Sequence, residues 1–162
     1  MNSFRRYAGL ALVLAAVAIA QQPKTNFSGR WRMLKNQSNF ASFAMPDTVV
    51  RLVEQHGVAM SVHTVETLHG KTNISDIVYY TDGRISNNTI NGHSAESRTF
   101  WDGPALMVRT IEKNSKNREI EMLDRWQLSP DGQMLTTTSH ITTAKGSVDL
   151  KLVSIKEKVR GR

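Results

Sequence analysis

Turn-forming pairs recur about every ten residues from position 56 onward, and this spacing leaves the chain few folds to choose from. In order they are His56-Gly57, His69-Gly70, Thr81-Asp82-Gly83, Asn91-Gly92, Asp102-Gly103-Pro104, the asparagine-flanked stretch 114–117, Ser129-Pro130-Asp131-Gly132 and Ala144-Lys145-Gly146. Asn-Gly and Asp-Gly pairs supply the positive φ angles that tight hairpin turns require. Between them lie segments rich in Val, Ile, Thr and aromatic residues, none interrupted by proline, which is the composition of a pleated and half-buried surface. The pattern predicts ten strands, at about 27–34, 48–55, 58–67, 72–80, 84–90, 93–101, 105–113, 118–128, 133–143 and 147–157. No window longer than about 12 residues after position 21 carries a clean 3.6-residue apolar period, so helices are not expected.

Alternation supports the strands. In 118–128, Ile120, Met122, Asp124, Trp126 and Leu128 fall on one face, with Glu119, Glu121, Arg125 and Gln127 on the other. In 58–67, Val58, Met60 and Val62 oppose Ser61 and His63, whereas 133–143 carries hydroxyls on both faces. Tyr79 and Tyr80 must point to opposite sides. One longer link, 35–47, holds Phe40, Phe43 and Met45 and is expected to form a short helix or a lid over one end of the domain. Ten sequential strands curl when laid in one open sheet and leave two aggregation-prone edges. Closing the meander pairs the first strand with the last. The expected fold is therefore all-β, a single antiparallel up-and-down barrel, with a two-sheet sandwich as the competing arrangement.

The chain opens with Arg5-Arg6, an uncharged run over 7–20 and the small-residue end Ala18-Ile19-Ala20. These are the three parts of a secretory signal, and the run is shorter than the roughly 20 residues a spanning helix needs. The expected organisation is a signal peptide at 1–20, a short extension at 21–26, a barrel domain at 27–157 and a basic tail at 158–162. The mature chain would be exported, periplasmic or extracellular, with no transmembrane segment. Cysteine is absent, which removes disulfides, thiol chemistry and cysteine-ligated metals. The net charge of +7 falls to +5 without the leader, with 19 basic against 14 acidic residues. Lys145, Lys151, Lys156, Lys158, Arg160 and Arg162 gather towards the end, but no interleaved aromatic platform accompanies them, so nucleic acid is not an expected partner.

The segment Asn26-Phe27-Ser28-Gly29-Arg30-Trp31 resembles the first strand of lipocalins and fatty-acid-binding proteins, where a Phe-x-Gly-x-Trp pattern precedes the barrel. Gly29 would permit a bend or close approach, and Trp31 would plug the closed end. Further pieces are similar to a group of exported bacterial lipocalin-like proteins: 36–40, Tyr80-Thr81-Asp82-Gly83, Trp101-Asp102-Gly103, Arg125-Trp126-Gln127-Leu128-Ser129, and Asp131-Gly132 with Leu135-Thr136. The likeness covers most of 26–157. It implies a calycin-type β-barrel and brings no activity with it. Three features depart from the better-known families: no Arg-x-Tyr pair occurs after position 20, the link 35–47 is too short for a helix pair, and Thr81-Asp82 is not followed by the lipocalin tyrosine.

Residues that would carry chemistry are few. None of His56, His63, His69, His93 and His140 shares an H-x-H or H-x-x-x-H spacing, so no metal site is expected. There is no Gly-x-Ser-x-Gly, phosphate-cradling glycine loop or His-Glu-x-x-His, hence no catalytic residue and no cofactor is assigned. Asp124 stands out as a carboxylate on an apolar face, costly to bury unless paired. If Lys113 pairs with Arg118 across the hairpin, Arg109 lies diagonal to Asp124, either orienting a polar ligand group or forming a structural ion pair, unless Asp124 simply stands at the barrel mouth in water. The candidate ligand-binding residues are Arg109, Asp124, Trp126, Trp101, His140 and Met122, with Gly29 and Trp31 as the structural plug. The leading functional expectation is a non-catalytic exported barrel holding a small apolar or amphipathic molecule in a continuous cavity of a few hundred Å³, roughly the low end for ligand sites. The alternatives are an envelope-associated interaction protein acting through its outer basic surface and, third, a lumen-based enzyme.

Overall fold

The computed structural model describes residues 24–90, 92–113 and 118–158; the expected signal segment 1–20 and the last four tail residues lie outside them. Ten strands follow one another: β1 (Gly29–Met33), β2 (Thr48–His56), β3 (Ala59–Leu68), β4 (Lys71–Tyr80), β5 (Ser86–Ile90), β6 (His93–Asp102), β7 (Ala105–Lys113), β8 (Glu119–Leu128), β9 (Met134–Thr143) and β10 (Gly146–Glu157). All pairings are antiparallel and join one sheet in the order β4-β3-β2-β1-β10-β9-β8-β7-β6-β5. The first strand pairs with the last, Arg30 opposite Glu157 and Met33 opposite Ser154, so the meander wraps into a nearly closed barrel. A single continuous sheet rules out the sandwich.

Eight of the nine consecutive strand pairs are hydrogen-bonded neighbours, and the exception is informative. β4 and β5 are not hydrogen-bonded neighbours; they are the two ends of the sheet. The chain spends residues 81–85 crossing between them, with Gly83 at φ +87° and Asp82 binding the Arg84 backbone and side chain. Closure here is therefore made by side chains. Asn88 of β5 acts as a piece of borrowed backbone: its Oδ1 accepts from the Val78 N–H at 2.9 Å and its Nδ2 donates to the Val78 carbonyl at 3.0 Å. Thr99 and Trp101 of β6 add bonds to the carbonyls of Tyr80 and Thr81, at 2.5 and 2.9 Å. Replacing Asn88 with alanine is expected to speed Val78 amide exchange roughly fivefold, for about 1 kcal/mol of lost hydrogen bonding. Unchanged exchange at Val78 would show that the seam is held elsewhere.

Inward positions alternate cleanly along β6, where Ala95, Ser97 and Thr99 are buried and Glu96, Arg98 and Phe100 are exposed. One half of the interior is filled. Phe27, Trp31, Met60, Leu106, Trp126 and Leu135 form its core with neighbouring valines and Tyr79. Trp31 is fully buried and its indole N–H donates to the Phe27 carbonyl at 2.9 Å, so the largest side chain of the plug leaves no unmet donor. Gly29 makes room beside it. Its φ is +154°, and a Cβ there would stand 2.6 Å from the Lys156 stem, whose ammonium lies 5.2 Å above the Trp31 ring. Gly29 and Trp31 thus lie together against the Lys156 stem in the filled half of the barrel. The link 35–47 holds one 3-10 turn, Lys35–Gln37, and an isolated bridge from Asn39 to Lys151. Phe40 packs on a second small cluster of Met33, Val49 and Leu152, while Phe43 is exposed, so only part of the expected lid turns inward.

Candidate functional site

The other half of the barrel is hollow. A cavity of about 270 Å³ opens there, lined by residues of β2, β3, β4, β7 and β8, with Ile90 at the seam. The expected continuous cavity is therefore shorter than the barrel, because aromatic side chains fill the remainder. The volume sits just under the roughly 300–1,000 Å³ common for ligand pockets.

Arg51 dominates this space. It lies between Val49 and Val53, both buried, so the alternation of β2 forces its side chain inward. It reaches across to the far wall, where one terminal nitrogen donates to Thr137 Oγ1 at 3.2 Å and the guanidinium lies 5.2 Å from the centre of the Trp126 ring. Its Nε is buried with no partner among the described residues, and so is the Trp126 indole N–H. Two unsatisfied donors on neighbouring side chains beside one cavity are the geometry of an acceptor site, since buried N–H groups in folded proteins are nearly always paired.

Asp124 stands on the same wall as Trp126, two residues along β8 and directly opposite Ser139 of β9, which hydrogen-bonds its carboxyl. Burial raises its pKa above the usual carboxylate range, opposed by the Ser139 bond and by the Arg51 charge. Burial also raises the Tyr79 hydroxyl, with the Asp124 charge acting in the same direction. Burial lowers Arg51, with Asp124, Tyr79 and Glu66 opposing. A guanidinium nonetheless keeps its proton, so the lumen holds a fixed cation.

The candidate residues divide across the barrel wall. Asp124 and Met122 line the cavity, and Trp126 lies between cavity and core. Trp101 packs at the filled end, stacked on Phe27 at 6.2 Å. Arg109 is outside the lumen. Lys113 pairs with Glu119 rather than Arg118, which sets Arg109 opposite Leu123 on the outer face, bonded to Glu121 at 2.5 Å. A one-residue change of register moves a side chain to the other face, so the proposed Arg109–Asp124 diagonal does not form. His140 also points outward, bonded to Asp149 at 2.7 Å. A larger open groove of about 470 Å³ lies there between Met107, Leu123, Arg125 and Lys151. Its charges are mixed, Arg125 pairing with Asp102 and His140 with Asp149. Among the described residues no group of three acidic or histidine side chains is placed to hold a metal, and no helix is long and apolar enough to cross a membrane.

Sequence reading missed Arg51, the Thr137 and Ser139 hydroxyls that hold the two charged groups, and Glu66. The signal for Arg51 was hidden, because Val50 and Leu52 make the outer face of β2 as apolar as the inner one.

A meander of ten strands around a half-hollow core, with β1 returning to β10, defines a calycin-type barrel. No protein-family model matches the chain, and no curated protein sequence does. Solved structures do match. Zebrafish ileal bile acid-binding protein complexed with cholic acid is similar at 16% identity over 81% of this chain and 98% of its own, with a TM-score of 0.58. Secretory abundant heat soluble protein 4 from Ramazzottius varieornatus is similar at 15% identity over 86% and 100%, TM-score 0.59. Apo lipid binding protein 8 from Caenorhabditis elegans is similar at 12% identity over 81% and 95%, TM-score 0.57. At these identities the likeness defines the fold.

Proposed function

We propose that this protein is exported and binds a small amphipathic molecule in the open half of its barrel, without catalysing a reaction on it. The observation that carries this reading is the pair of buried donors without a partner among the described residues, Arg51 Nε and Trp126 Nε1, beside a hollow of about 270 Å³. An apolar tail would lie against Val62, Ile77 and Met122, and its polar end would reach the donors. Neighbouring hydroxyls hold Arg51 and Asp124 in place, as a binding site requires. The barrels it resembles include a bile acid-binding and a lipid-binding protein. Native mass spectrometry of the protein purified gently from its own host tests the reading. A retained small molecule, released on denaturation, is expected. Protein at its bare mass that also fails to take up added octanol would contradict it.

A further inference from the structure

Resting on the lumen reading above, we infer that the site takes a singly charged oxyanion head group at Arg51, and that Asp124 takes up a proton from solvent as the anion enters. The first half follows from what Arg51 lacks. Its charge is fixed, it makes no ion pair among the described residues, and its one hydrogen bond among them is to a neutral hydroxyl. Its Nε and the Trp126 indole N–H both still need an acceptor. A charged oxygen answers both needs, because bonds from a guanidinium to an anion are the shorter and stronger kind.

The second half follows from what faces the incoming anion. Asp124 lies one inward position from Trp126 along β8 and lines the same cavity as Arg51. From β2 it is faced by Arg51, and from β4 by Tyr79, while Glu66 of β3 lies within the field of Arg51. The strands flanking it supply neutral groups: Val108 and Thr110 from β7, Thr137 and Ser139 from β9. Glu112 is further along β7, opposite Ile120. An anion at Arg51 and an ionised Asp124 would place two like charges in one cavity around one cation. Protonating Asp124 removes the repulsion and turns the carboxyl from a competitor into a donor. Burial already pushes Asp124 in that direction, whereas Tyr79 is held protonated throughout. Binding of the anion therefore weakens as pH rises, by up to about tenfold per pH unit once the empty site has lost its proton.

Isothermal titration with octanoate and with octanol, between pH 5.5 and 9, tests this. For the native protein the octanoate affinity is expected to fall as pH rises, and the heat to depend on the buffer in the sense of proton uptake. In D124N, which keeps the shape and the Ser139 contact, octanoate is expected to bind without pH dependence and without proton uptake. In Arg51→Met octanoate affinity should drop at least tenfold while octanol binding persists. A flat pH profile in the native protein, or a pH dependence that survives in D124N, would overturn the inference. Octanol binding with no octanoate binding at any pH would overturn it while sparing the lumen site. Failure of both probes would remove the lumen reading itself.

Discussion

Trp31→Ala is expected to destabilise the protein by about 3–5 kcal/mol, the range for deleting a fully buried aromatic side chain. Trp31 is 0% exposed, bonded to the Phe27 carbonyl and covered by the Lys156 stem, so truncation leaves a cavity with nothing placed to collapse into it. The chain has no cysteine, so no disulfide limits the entropy of its unfolded state. Domains of this kind hold only about 5–15 kcal/mol in total, and the variant should lose a large part of that. Equilibrium unfolding in urea measures it. A loss below about 1 kcal/mol would mean that the filled half of the barrel repacks freely, and that the plug is not what holds it.

The double variant Arg51→Met with Asp124→Asn is expected to behave in the opposite way. It should be more stable than the native protein by about 1–4 kcal/mol at neutral pH, the range seen when buried charges give way to neutral groups of similar volume. Burial works against the charge on both residues, and Arg51 Nε has no partner among the described residues to offset its lost water. The sign for Asp124 is fixed by its raised pKa: its contribution is fully present below the unfolded value of 3.8 and is lost as pH rises through the folded one. The gap between variant and native should therefore narrow as the pH is lowered. Arg51→Met alone should be less stable than the double variant, because it leaves the half-buried Asp124 carboxyl without the Arg51 charge. A stability gain joined to lost octanoate binding marks groups kept for a ligand. If the double variant unfolds more easily than the native protein at neutral pH, the two residues are architectural.

These residues also show how far the primary structure could be read. The strands were legible because a Gly-containing turn and a period-two pattern agree at nearly every junction, and a barrel follows from the edges they would otherwise leave. Asp124 was legible for the same reason: it interrupts a clean apolar face between Met122 and Trp126. Its partner was not. Neither β7 nor β8 writes its own pairing register, and one residue decides whether Arg109 or Val108 meets the lumen. The inward charge comes instead from Arg51 of β2, 73 residues earlier in the sequence. The seam was hidden too, since 81–85 reads as an ordinary turn and only pairing shows that the strands it joins do not bond.

The three indole N–H groups offer the sharpest check that the hollow half receives a guest. Those of Trp31 and Trp101 donate to the carbonyls of Phe27 and Thr81, whereas that of Trp126 has no acceptor among the described residues. In a nitrogen–proton correlation spectrum, adding octanoate at pH 6 should move the Trp126 indole signal and leave the other two in place. Three unmoved signals at saturating octanoate, or a shift confined to Trp31 or Trp101, would show that nothing enters beside Arg51.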